Sequence, residues 1–183
     1  MSALNYASSD EPSLASRVVI DEDWTAGIGG GVWSTGVALA LYFSSLPAHL
    51  LARLKRSRTC EFGSGNGYLA SVLASAVEDC EIWVTDDEGH QDLMHRTVEK
   101  NIKLGNIKGT PGRVKIARLL WGEDDLGTKF DFIFGTDVVY RDHLHDPFIK
   151  ALDMHLAMKG SALVGVCMSD TSPQFFTKLR KAG

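Results

Sequence analysis

The stretch Arg58-Thr59-Cys60-Glu61-Phe62-Gly63-Ser64-Gly65-Asn66-Gly67-Tyr68-Leu69 constrains the chain most. It reads as a short strand, a glycine turn and the start of a helix running on through Val72, Leu73 and Ala76. Glycines at alternate positions let the backbone turn sharply and let a ligand approach without side-chain interference. The N–H groups at the following helix start are expected to face the same place. The spacing is G-x-G-x-G, with Glu61 two residues before the first glycine, whereas dinucleotide-binding turns run G-x-G-x-x-G. By itself the stretch can also be read, as the lesser alternative, as a plain tight turn.

The rest of the chain alternates strand and helix patterns. Strands are expected over 17–20, 81–85, 114–121, 130–135 and 161–167. Helices are expected after the Gly27–Gly31 run, capped by Ser34 or Thr35 and stopped by Pro47, then over 49–54. Further helical faces are marked by Met94, Val98 and Ile102, stopped by Gly105, by Leu144, Phe148, Leu152 and Leu156, and over 173–181. The fold class is therefore α/β: an open parallel, Rossmann-like sheet with helices on both faces. Residues 1–15 are expected to be a loose tail, and 16–183 a single domain. Trp33, beside an apolar helix, is expected in the core.

Composition narrows the setting. The net charge of −4 argues against a nucleic-acid surface. Three scattered cysteines fit reduced thiols, not a disulfide framework or zinc site. The polar start lacks a signal-peptide core and no apolar run is long enough to span a bilayer. The expectation is a soluble protein of the cytoplasm or nucleus that does not engage membranes.

Ligands of such sheets bind beyond the carboxyl ends of the strands. Those ends carry Glu61 and the glycine turn, Asp86, Trp121, and Gly135-Thr136-Asp137-Val138-Val139-Tyr140. Asp86 stands where a carboxylate would accept bonds from a ribose diol, or it is a solvated helix-start charge, with Asp87 and Glu88 as rivals. Trp121 could stack on a purine or close the core.

Together these residues resemble the seven-strand, S-adenosylmethionine-dependent methyltransferases. More narrowly, the chain resembles the eukaryotic protein-lysine methyltransferases that modify chaperones, elongation factors, calmodulin and an AAA ATPase, valosin-containing protein. The matching pieces are Gly31-Val32-Trp33-x-x-Gly36, Glu61-x-Gly63-x-Gly65-x-Gly67, Val84-Thr85-Asp86, Leu120-Trp121-Gly122 and Asp137-x-x-Tyr140. The resemblance implies that Trp33, Gly63, Ser64, Gly65, Asp86, Trp121 and Thr136 contact S-adenosyl-L-methionine, with Glu61 supporting the loop. It places Asp137 and Tyr140 beside the transferred methyl, and it implies a protein substrate: a chaperone, an AAA ATPase or an elongation factor. The prolines that adenine-methylating relatives carry in this last motif are absent, which argues against a flipped base.

A neutral lysine amine at pH 7.4 costs roughly 4 kcal/mol against a free pKa near 10.4. An apolar channel lowers that cost, whereas a carboxylate favours the charged form. Asp137 is therefore expected to orient the lysine and Tyr140 to wall the channel, the proton leaving to water beforehand. Asp142-His143-Leu144-His145-Asp146 is read as a solvated helix start with no metal role, and Lys55, Arg56 and Arg58 as a basic surface rim. The family resemblance also implies a hairpin after the fifth strand, so the expectation is a C-terminally truncated domain with an unpaired edge over 162–167. Two other readings stay open: a same-fold enzyme acting on protein histidine, arginine or a small molecule, and a catalytically silent binding module.

Overall fold

The computed structural model describes residues 13–182; most of the expected loose tail lies outside them. Five strands form one parallel sheet: β1 (Arg58–Phe62), β2 (Glu81–Asp86), β3 (Val114–Arg118), β4 (Phe130–Thr136) and β5 (Leu156–Gly165), in the order β3-β2-β1-β4-β5. The chain winds outward from β1 to β3, then returns to lay β4 against the other side of β1. The carboxyl ends of β1 and β4 thus border the crevice where such sheets take ligands. The β3–β4 return contains no helix, so strict alternation fails there.

Both faces are covered. On one lie α1 (Leu14–Arg17), α2 (Ser34–Ser44), α3 (Ala48–Leu54), α4 (Tyr68–Ala76) and α5 (Gln91–Lys103), packed through Phe43, Leu73, Ile82, Met94 and Phe134. On the other, α6 (Asp142–His155) and α7 (Pro173–Ala182) bury Phe148 and Phe175 against Phe62 and Ile133. Continuous apolar runs such as Phe132-Ile133-Phe134 suit strands shielded on both sides.

Several elements depart from the sequence pattern for identifiable reasons. The expected strand over 17–20 is instead the end of α1 followed by an extended segment. Its hydrogen bonds go to a side chain: Asn101 accepts from the Val19 N–H at 3.0 Å and donates to the Val19 carbonyl at 2.7 Å. That amide takes the inward position on α5, leaving Ile102 50% exposed. Trp33 is 44% exposed, so it is not core. It also serves as the N-cap residue of α2, whose end has no side-chain cap from Ser34 or Thr35. Leu156 opens β5 in place of ending a helix, because it pairs with Phe130, and a register shift follows before Ser161 meets Phe132. Among the described residues β5 is an edge strand.

Arg113 fixes the far end of α4. Its buried guanidinium donates to the carbonyls of Ala74, Val77, Cys80 and Lys108, the last at 2.6 Å. These include end-of-helix acceptors that otherwise have no partner, and the cation lies at the negative end of the helix dipole. Arg113→Met should lower unfolding free energy by about 2–4 kcal/mol, because several buried carbonyls lose charge-assisted bonds. Urea unfolding measures it; a loss under about 0.5 kcal/mol would refute this anchoring role.

Candidate active site

The turn after β1 is held from below by one carboxyl. Glu61, 2% exposed, accepts from the Ser64 hydroxyl and from the Ala70 N–H at 3.0 Å, both on Oε2. One side chain thereby ties β1, the turn and the first turn of α4 together. Burial pushes Glu61 up to about 8, against the pull of those two bonds. The Tyr68 N–H is also taken, by Asn66 Oδ1 at 3.1 Å. The helix-start N–H groups of Tyr68 and Ala70 therefore face protein, contrary to the expectation that they face a ligand. Gly63 and Gly65 adopt positive φ, 68° and 57°. A Cβ on Gly63 would stand 2.5 Å from Val138, and one on Gly65 would run into the Gly29 carbonyl.

Above this turn opens a cavity of about 750 Å³, within the range of roughly 300–1,000 Å³ that holds drug-sized ligands. Trp33, Gly63, Gly65, Asp86, Trp121, Thr136, Asp137 and Tyr140 all line it. Glu61 and Ser64 do not: the Ser64 hydroxyl is committed to Glu61 beneath the turn. Asp86 accepts from the Gly65 N–H on Oδ2 and from the Asp87 N–H on Oδ1, each at 2.7 Å. Of its rivals, Asp87 also lines the cavity but is committed to its own turn and to His90. Asp87 accepts from the Gly89 N–H, and Glu88 is largely exposed beside Arg118. Trp121 lies past the end of β3, stacked on Phe62 at 6.4 Å and edge-on to Phe148 at 5.2 Å, so it closes the core and walls the cavity at once. Its Nε1 is buried without a partner among the described residues.

Asp137 is the strained member, with φ 55°, a conformation that costs a non-glycine residue about 1–3 kcal/mol. Its N–H donates to the Gly165 carbonyl at 2.9 Å, and its Oδ1 accepts from the Thr35 hydroxyl at 2.9 Å. Oδ2 is buried and unpartnered among the described residues. Burial raises its proton affinity, opposed by the bonds from Thr35 and the Cys167 backbone. The loop beyond is pinned by His145, which is 1% exposed and donates from Nε2 to the Val139 carbonyl at 3.0 Å. The 142–146 run is thus not wholly solvated, as the sequence suggested: His145 belongs to the core, while His143 lines the cavity.

Sequence reasoning assigned no role to Ile28, Gly29, His90 or Asp170, all of which line the cavity. The glycine-rich run 27–31 reads in the sequence only as leading into a helix; its close approach to Gly65 depends on a partner distant in the chain. Among the described residues Asp86, Asp87 and His90 group their ligand-type atoms within 4.8 Å, with the imidazole already bonded to the carboxylates.

Residues 13–182 match the profile of a family described as lysine methyltransferase. The chain is 26% identical over 130 residues to calmodulin-lysine N-methyltransferase of Arabidopsis thaliana, covering 69% of this chain and 40% of that protein. It is 25% identical over 130 residues to protein-lysine N-methyltransferase EFM3 of Saccharomyces cerevisiae, covering 68% and 38%. The chain thus spans about two fifths of the length of these curated relatives. In fold it is similar to coclaurine N-methyltransferase, whose structure holds N-methylheliamine and SAH, with a TM-score of 0.52, 12% identity, and coverage of 70% of this chain and 35% of that one.

Glu61 supplies a test of the turn. Its proton affinity is higher folded than unfolded, so between its ordinary 4.5 and about 8 the folded state holds the extra proton. Its contribution to stability therefore falls as pH rises through that window. Glu61→Gln keeps an oxygen for both bonds and lacks the titration. Relative to wild type it should gain at least about 1 kcal/mol between pH 5 and 8 in urea unfolding. Parallel pH curves would contradict the buried, proton-holding carboxyl.

Proposed function

The chain belongs to the lysine methyltransferase family, and from that membership and the cavity we propose that it transfers a methyl group from S-adenosyl-L-methionine to a lysine ε-amine of a protein. Asp137 carries the reading. It has a carboxylate oxygen with no partner among the described residues, held in a strained backbone, in the cavity that the glycine turn and Asp86 also line.

The lining fits the donor. Gly63 and Gly65 line the cavity where the amino-acid end would lie, their missing Cβ atoms making way for Val138 and the Gly29 carbonyl, and Asp86 Oδ2 retains acceptor capacity for a ribose hydroxyl. Trp121 offers an aromatic wall and an unpartnered N–H near the base, with Trp33 and Thr136 completing the rim. Bound there, the donor supplies an electrophilic methyl group on a sulfonium. Glu61 and Ser64 support the turn from below.

The protein's own work is positioning. In-line transfer needs the amine lone pair about 3 Å from the carbon. Asp137 accepts N–H bonds from the lysine and fixes its approach, while Tyr140 and Val138 form the wall that excludes water. Asp137 favours the ammonium, so the proton leaves to water before the amine docks. The names of the Arabidopsis and yeast relatives support a protein acceptor, and the bound SAH of the coclaurine enzyme supports the donor. The acceptors to examine are calmodulin, chaperones, AAA ATPases and elongation factors. The buried, reduced Cys60 and Cys80 support a cytoplasmic or nuclear setting.

Incubation with methyl-labelled donor and cell extract, followed by peptide mass spectrometry, should place label on lysine. Label confined to histidine, arginine or small molecules would overturn the lysine reading. On a lysine acceptor kcat/KM should rise between pH 7 and 10; a flat profile would contradict prior proton loss. Asp137→Asn should lower kcat/KM about 10- to 100-fold by removing a charge-assisted bond.

A further inference from the structure

His90 ends a short 3-10 turn, Glu88–His90, directly after β2. Asp87 caps that turn, and the imidazole folds back over the strand end. Its Nδ1 lies 3.2 Å from Asp86 Oδ1 and 2.9 Å from Asp87 Oδ1. The other nitrogen, Nε2, is buried with no partner among the described residues. It sits against Gly29, where a Cβ would come within 2.6 Å. The ring is therefore wedged between two carboxylates and a glycine, on the cavity wall.

This arrangement changes what Asp86 can do. Oδ1 already accepts from the Asp87 N–H and shares the His90 Nδ1–H with Asp87 Oδ1, the closer acceptor, while Oδ2 accepts from Gly65, so the carboxylate has little capacity left for both hydroxyls of a diol. Nε2 is a second polar atom needing a partner at the same spot. We propose that His90 is a binding residue for the methyl donor: it holds the Asp86 carboxylate and presents its Nε2–H to a ribose oxygen, while the neighbouring hydroxyl donates to Asp86 Oδ2. The hydrogen bond to Asp86 raises His90 to about 9, so both ring nitrogens carry protons at neutral pH. A buried cationic N–H without an acceptor is costly, and a ligand oxygen removes that cost. This inference rests on the donor assignment made under the proposed function.

The test uses the whole chain and S-adenosylhomocysteine in titration calorimetry. Wild type should bind; His90→Ala should weaken binding about 10- to 100-fold, and His90→Gln, which retains a donor N–H, should recover part of the loss. In turnover the KM for the donor should rise while kcat stays within about twofold. Nitrogen-detected NMR of wild-type His90 should show an Nε2–H whose shift and exchange change when the product binds, a readout independent of either variant's folding. Equal affinity of wild type and His90→Ala, or an Nε2 signal that ignores the ligand, would overturn the role of His90 alone. No binding by wild type would overturn the donor assignment itself.

Discussion

The buried carboxyl of Glu61 is where strand, turn and helix are made one unit. Its two bonds, from Ser64 and from the Ala70 N–H, lie below a backbone that passes through the left-handed region at Gly63 and Gly65. Backbone bonds from Ser64 to the Thr85 carbonyl and from Gly67 to the Ser64 carbonyl add to the hold. The bonds convert a flexible glycine segment into a fixed part of the cavity wall. The neighbours depend on that wall: Val138 occupies the space beside Gly63, Gly29 lies on Gly65, and the Gly65 N–H orients Asp86.

Sheet order then brings the second half of the site to the first. Because β4 returns to the side of β1 opposite β2, its terminal loop faces the glycine turn across the crevice. That loop is held at two points, by Gly165 at the Asp137 N–H and by His145 at the Val139 carbonyl. Between these anchors the chain sustains a strained Asp137. The strain is tolerable because the surrounding bonds over-determine it, and the residue stands on the cavity lining with one carboxylate oxygen buried and unpartnered among the described residues. The two halves of the cavity are therefore set by different elements that meet only in the folded sheet.

Much of this was legible in the sequence because it is local. The strand–glycine–helix pattern at 58–69, the acid at the end of β2 and the Asp-x-x-Tyr after β4 are each contained within a few residues of one element. Their convergence follows from parallel sheet topology alone. What could not be read depends on partners distant in the chain. Asn101 substitutes for a neighbouring strand beside Val19, so an apolar run that looked like β-structure has no sheet to join. Arg113 seals α4 from beyond β2, and no pattern in either segment announces it. His145 looked like a surface residue among charges, yet the carbonyl of Val139 gives it a buried partner. Trp33 erred the other way: its ring meets Trp24 edge-on at 6.2 Å at the cavity rim, outside the core.

On the proposed function, a sulfonium nucleoside lies across the ends of β1, β2 and β4 with its reactive carbon toward Asp137 and Tyr140. A crystal structure of the chain with S-adenosylhomocysteine tests it most directly. The expected result is ribose density at Asp86, the base beside Trp121 and the sulfur facing the Asp137–Tyr140 loop. A nucleoside bound elsewhere, or a crevice filled by Trp121, Tyr140 or the 27–31 segment in the presence of saturating ligand, would contradict it.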